Sequence, residues 1–70
     1  MKLTVELDRE TDGRWIAEVV DLPGVLAYGS TRDEALASAQ ALALRVVADQ
    51  LEDGAALAAP LDLSFVVNAA

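Results

Sequence analysis

The sequence predicts an α+β domain of element order βββαβ, in which one helix packs on a mostly antiparallel four-stranded sheet. Three observations lead there. Apolar and polar residues alternate in segments near both ends of the chain, which is the period of half-buried strands. Glycine- and proline-bearing turn signals separate the first three segments. One long run of helical period then stands before the last segment, opened by a capping pair and closed by a glycine.

In the first strand, Leu3, Val5 and Leu7 alternate with Lys2, Thr4, Glu6 and Asp8. In the second, Trp15, Ala17 and Val19 alternate with Arg14, Ile16 and Glu18, which turns Trp15 toward the core. Between them Gly13 can take the left-handed position that closes a three-residue hairpin loop with a bulge. Such an odd loop sets Leu7 opposite Ala17 and Val5 opposite Val19. A two-residue Asp-Gly turn would instead set Leu7 opposite Glu18 and turn an apolar face to water, so the odd loop is the expected one. The same register places Glu6 directly opposite Glu18 on the outer face. Like charges so placed cost up to about 1 kcal/mol, so the pair is either spread apart in water or met by something basic.

Residues 21–25, Asp-Leu-Pro-Gly-Val, encode a chain reversal. Pro23 suits the second position of a type II turn, Gly24 the third, and Leu22 before proline is held extended. Val25 to Tyr28 then form a short third strand that Gly29 ends.

Ser30 and Thr31 offer N-cap hydroxyls, and Thr31 with Glu34 makes a capping box. The helix is expected from about Arg32 to Asp53, with Gly54 as its left-handed stop. Ala35, Leu36, Ala39, Leu42, Ala43, Val46 and Val47 share the face that lies on the sheet. A second stripe, Ala37, Ala41, Leu44, Ala48 and Leu51, faces elsewhere, and one sheet cannot cover both. Either a second copy packs on that stripe, or its alanines stand in water as good helix formers and leave Leu44 and Leu51 exposed. Leu61, Leu63, Phe65 and Val67 alternate in the fourth strand, which Pro60 introduces. The helical connection suits a crossover to a strand parallel to its neighbour.

Composition bounds the function. A chain of 70 residues forms one domain and buries only about 60% of the surface its unfolded form exposes. It has neither cysteine nor histidine to hold a staple or zinc, so a homo-oligomer, dimer or tetramer, is the expected supplement to its core. The net charge of −7 repels phosphate backbones and permits a basic partner, so no direct nucleic-acid binding is expected. The charged first residues do not read as a signal peptide, and no run approaches the roughly 18 apolar residues of a membrane span. A cytoplasmic protein without membrane attachment is expected. No cofactor is expected either, since no glycine-rich phosphate loop is present.

Gly13, Trp15, Asp21, Leu22, Pro23, Gly24, Gly29, Thr31, Glu34 and Ala35 follow one another at a family spacing. The chain thereby resembles the HicB family of bacterial antitoxins, marked by a Gly-aromatic strand, a Leu-Pro-Gly turn and a Gly-x-Thr-x-x-Glu-Ala helix start. The resemblance spans nearly the whole chain. It implies a partial ribonuclease H-like fold, a homo-oligomer, and neutralisation of HicA, a small basic toxin that cleaves messenger RNA with one catalytic histidine. Inhibition would come from covering the toxin's RNA-binding surface and histidine. Longer relatives append a DNA-binding module, so this chain, ending at Ala70, reads as a short single-domain member.

The matched residues build turns, a cap and core, and so identify a fold without locating the toxin contact. The candidate for that contact is the acidic outer face at Glu6, Asp8 and Glu18. The stripe Ala37, Ala41, Leu44, Ala48 and Leu51 is the candidate oligomer contact. A metal-dependent nuclease would have to use Asp8, Glu34 or Glu52, and Asp62, whose spacing matches no nuclease motif, so no enzyme is expected. The competing function is a solitary oligomeric interaction module with no toxin.

Overall fold

Alternation along Lys2–Arg9 makes β1, the strand around which the sheet is built. The computed structural model describes residues 1–54 and 60–69. In it β2 (Trp15–Val19) and β3 (Leu26–Gly29) follow, then α1 (Arg32–Glu52) and β4 (Ser64–Ala69). The four strands form one sheet in the order β3-β2-β1-β4. β1 pairs antiparallel with β2, and β2 with β3, whereas β4 runs parallel to β1. The architecture is thus α+β, one helix on a four-stranded mixed sheet.

The hairpin has the odd loop. The Glu10 N–H donates to the Arg14 carbonyl at 2.7 Å and the Gly13 N–H to the Glu10 carbonyl at 3.0 Å, with Gly13 at φ +93°. Leu7 consequently faces Ala17 and Val5 faces Val19. In an antiparallel ladder, hydrogen-bonded and non-hydrogen-bonded pairs alternate. Since Glu10 with Arg14 is a bonded pair, so is Glu6 with Glu18, and the apolar pairs on either side of it, Leu7 with Ala17 and Val5 with Val19, belong to the closer, non-bonded class. The register therefore draws the core side chains together and holds the two glutamates at the wider spacing.

The reversal at 22–25 is a type II turn. The Val25 N–H donates to the Leu22 carbonyl at 3.1 Å and Gly24 stands at φ +82°. Val25 lies outside β3, contrary to expectation, because its N–H closes this turn. The strand instead begins at Leu26 and includes Gly29. Asp21 has a role that its position in the sequence did not announce. The Val20 N–H donates to the Thr4 carbonyl, and the Thr4 N–H donates back, past Val20, to the Asp21 carboxylate. That bond ties the turn to the middle strand of the sheet.

Thr31 is the N-cap of α1, its Oγ1 accepting from the Glu34 N–H at 3.1 Å. The Glu34 carboxylate reaches back one residue further than a standard capping box requires and accepts from the Ser30 N–H at 3.4 Å. Asp53 is the C-cap, and Gly54 takes the left-handed conformation at φ +75°. Ala35, Ala39, Ala43 and Val47 are buried against Leu3, Val5, Leu7, Ala17, Val19 and Val25. Small helix residues against larger strand residues let α1 lie close to the sheet. The approach is close at Gly29, which is buried beneath the first turn of the helix.

Two further expectations are corrected. Trp15 packs against the core as its parity implies, but it is only half-buried. Its cross-strand partner is Gly29, which has no side chain to cover it, and the Arg9 guanidinium lies 5.8 Å from the ring centroid. β4 begins at Ser64, whereas the apolar alternation suggested Leu61. Leu61 and Leu63 still pack on the core, but from outside the strand.

Candidate functional site

Because α1 covers one face of the sheet, the even-numbered side chains of β1 and β2 stand on the other. Pairing across the strands puts Leu26, Glu18, Glu6 and Asn68 in one row of that outer face and Tyr28, Ile16 and Asp8 in the next. Glu6, Asp8 and Glu18, far apart in the chain, are therefore neighbours, and all three are exposed. Together with Leu7, Glu10 and Ile16 they border a depression in the surface.

Electrostatics mark this face. Among the described residues the ion pairs are Arg14 with Asp12 at 2.8 Å and Arg32 with Asp33 at 3.7 Å, and neither involves Glu6, Asp8 or Glu18. Arg14 extends over the Tyr28 ring, its guanidinium carbon 4.5 Å from the centroid, at the border of the acidic rows. Glu6, Asp8 and Glu18 thus form one patch outside these ion pairs, with an apolar flank of Leu26, Tyr28 and Ile16. Leu26 is 38% exposed and Tyr28 44%. An arrangement of this kind suits recognition of a basic surface that also carries apolar groups.

Glu10 belongs to the patch and was absent from the candidates drawn from sequence. Its signal was the same period of two, since it follows Glu6 and Asp8 on the outward-facing parity of β1. The apolar flank was less legible, because only strand order places β3 beside β2.

The acids that a metal-dependent nuclease would use do not converge. Asp8 lies toward the hairpin end of β1, Asp62 just before β4, and Glu34 and Glu52 at opposite ends of α1. Among the described residues no group of three or more acids is placed to hold a metal ion. The fold-signature residues are dispersed as well: Gly13, Pro23 and Gly24 in turns, Asp21 against Thr4, Leu22 against the core, and Thr31, Glu34 and Ala35 in the first turn of α1. Ala37, Leu44, Ala48 and Leu51 are exposed on the helix and Ala41 half-buried, so the second stripe lies on the side of α1 away from the sheet. No described helix is long and apolar enough to cross a membrane.

No family model, curated protein or solved structure matches the chain.

Proposed function

We propose that the protein is a HicB-like antitoxin, a cytoplasmic binding protein without catalytic activity that neutralises a small basic HicA-type RNA-cleaving toxin. The observation that carries this reading is the contiguous, exposed patch of Glu6, Asp8 and Glu18, which lies outside the ion pairs among the described residues. A toxin that binds RNA must present cations to phosphate, and an acidic sheet face with an apolar flank competes for those same cations. The net charge of −7 would steer the encounter over a longer range and speed it at low salt. The βββαβ order with β4 parallel to β1 supports placing the domain with partial ribonuclease H-like folds of the HicB kind. Inhibition is then occlusion of the toxin's RNA-binding surface and catalytic histidine.

The test is a pull-down of the tagged protein from its own host, eluted with a salt gradient and identified by mass spectrometry. The expected eluate contains a small, basic, histidine-containing protein that cleaves RNA once freed. Recovery of the protein's own copies alone would overturn the proposal in favour of a solitary module.

A further inference from the structure

The two edges of the sheet differ. β3 spans only Leu26–Gly29, and the helix that follows it turns back over it. β4 is longer, Ser64–Ala69, and carries no charge, proline or glycine, so the devices that guard natural edge strands are missing from it. Among the described residues no element pairs with its outer side. α1 packs on β3 and β2 and touches β1 less, and none of its α-carbons comes within 8 Å of one in β4. Phe65 and Val67 are for that reason only half-buried, although they point to the helix side.

The backbone of this edge has a definite polarity. The Ser64 N–H donates to the Met1 carbonyl at 2.9 Å. Alternation along a strand then directs the N–H and C=O groups of Ser64, Val66 and Asn68 toward β1, and those of Phe65, Val67 and Ala69 outward. Three residues thus offer a row of donors and acceptors that another strand satisfies.

We infer that β4 pairs antiparallel with β4 of a second copy across a two-fold axis, joining two sheets into one of eight strands. Charge selects this occupant. A basic partner finds no carboxylate along Ser64–Ala69, whereas two chains of charge −7 approach with least repulsion along a strand that has none. The edge is also self-complementary, as an isologous contact requires. With the axis at Val66, Phe65 faces the partner's Val67 on the helix side, an aromatic and β-branched pair of the favourable kind. Both helices then lie on one side of the joined sheet and both acidic patches on the other. The inference stands independently of what binds those patches.

The chain lacks cysteine, so a single introduced thiol reports the contact. At the axis Val66 meets its own copy as a non-hydrogen-bonded pair, with α-carbons about 4.5 Å apart and within disulfide range. Mild oxidation of Val66→Cys is expected to give a covalent dimer, and Leu26→Cys, exposed on the opposite edge, is not. In light scattering, Ala69→Lys, which puts a charge at an exposed position of the edge, is expected to separate the β4 contact and halve the mass with an unchanged circular dichroism spectrum. Leu44→Glu on the helix stripe is expected to leave the Val66→Cys crosslink intact. A monomeric wild-type mass would overturn the inference. So would oxidised Val66→Cys without a dimer, or a crosslink lost on Leu44→Glu but kept on Ala69→Lys.

Discussion

A methyl group added to Gly29 would stand 2.5 Å from the Ala35 backbone nitrogen, closer than a carbon in contact can come. Gly29 ends β3 and Ala35 lies in the first turn of α1, so the missing side chain sets how near the helix lies to the sheet. The obstacle is backbone, which cannot rotate away as a side chain can. Gly29→Ala is expected to cost about 1–3 kcal/mol, the range for overpacking a filled core. Urea denaturation measures it, and a loss within experimental error would show that the helix shifts freely on the sheet.

Asp21 holds the Thr4 amide from the other end of the turn that contains Pro23 and Gly24. Asp21→Asn keeps the shape but removes the charge from this hydrogen bond, and Asp21→Ala removes the bond. The alanine variant is expected to lose about 1 kcal/mol, below the usual range for a bond to a charged group because Asp21 is exposed. Hydrogen exchange gives the specific readout: the Thr4 amide should lose protection in Asp21→Ala while the amides of α1 keep theirs.

Glu18 faces Glu6 at the wider of the two antiparallel spacings. Neutralising it should stabilise the isolated protein by up to about 1 kcal/mol, with the gain shrinking as salt is added. The proposed toxin should respond in the opposite sense, since Glu18→Lys would slow its association and flatten the salt dependence of the rate. Stopped-flow mixing at two ionic strengths separates the effects, and an unchanged rate would remove this face from the contact.

Asp12 sits in the hairpin loop, where the Arg14 N–H donates to its Oδ1 at 3.0 Å and the Arg14 Nε to its Oδ2 at 2.8 Å. That backbone N–H is the largest influence holding the Asp12 carboxyl below its ordinary range. A carboxyl with a depressed folded value favours the fold above its unfolded value, and the contribution disappears as pH falls through the folded one. Asp12→Asn is therefore expected to be less stable than the parent at neutral pH and to approach it in strong acid. Urea midpoints at the two pH extremes check the sign.

Much of the fold was legible because its signals are local. The parity of Leu3, Val5 and Leu7 against Ala17 and Val19 admits one register once Gly13 sets an odd loop, and Thr31 with Glu34 marks where the helix begins. The ends of β3 and β4 were less legible. Val25 is spent on closing a turn, and the apolar Leu61 and Leu63 pack without joining a ladder, so side-chain pattern and backbone pairing part company there.

The sequence by itself determined which side chains share a strand face, which residues turn the chain, and that Glu6 confronts Glu18, since each depends on a period or a turn a few residues long. Only the tertiary structure decided that Glu18 lies beside Leu26, that Asp21 captures the Thr4 amide, that Trp15 stays half-covered and that no α-carbon of α1 comes within 8 Å of one in β4. Those facts follow from strand order and from where one helix can lie on a sheet wider than itself, and the packing of the whole chain selects both.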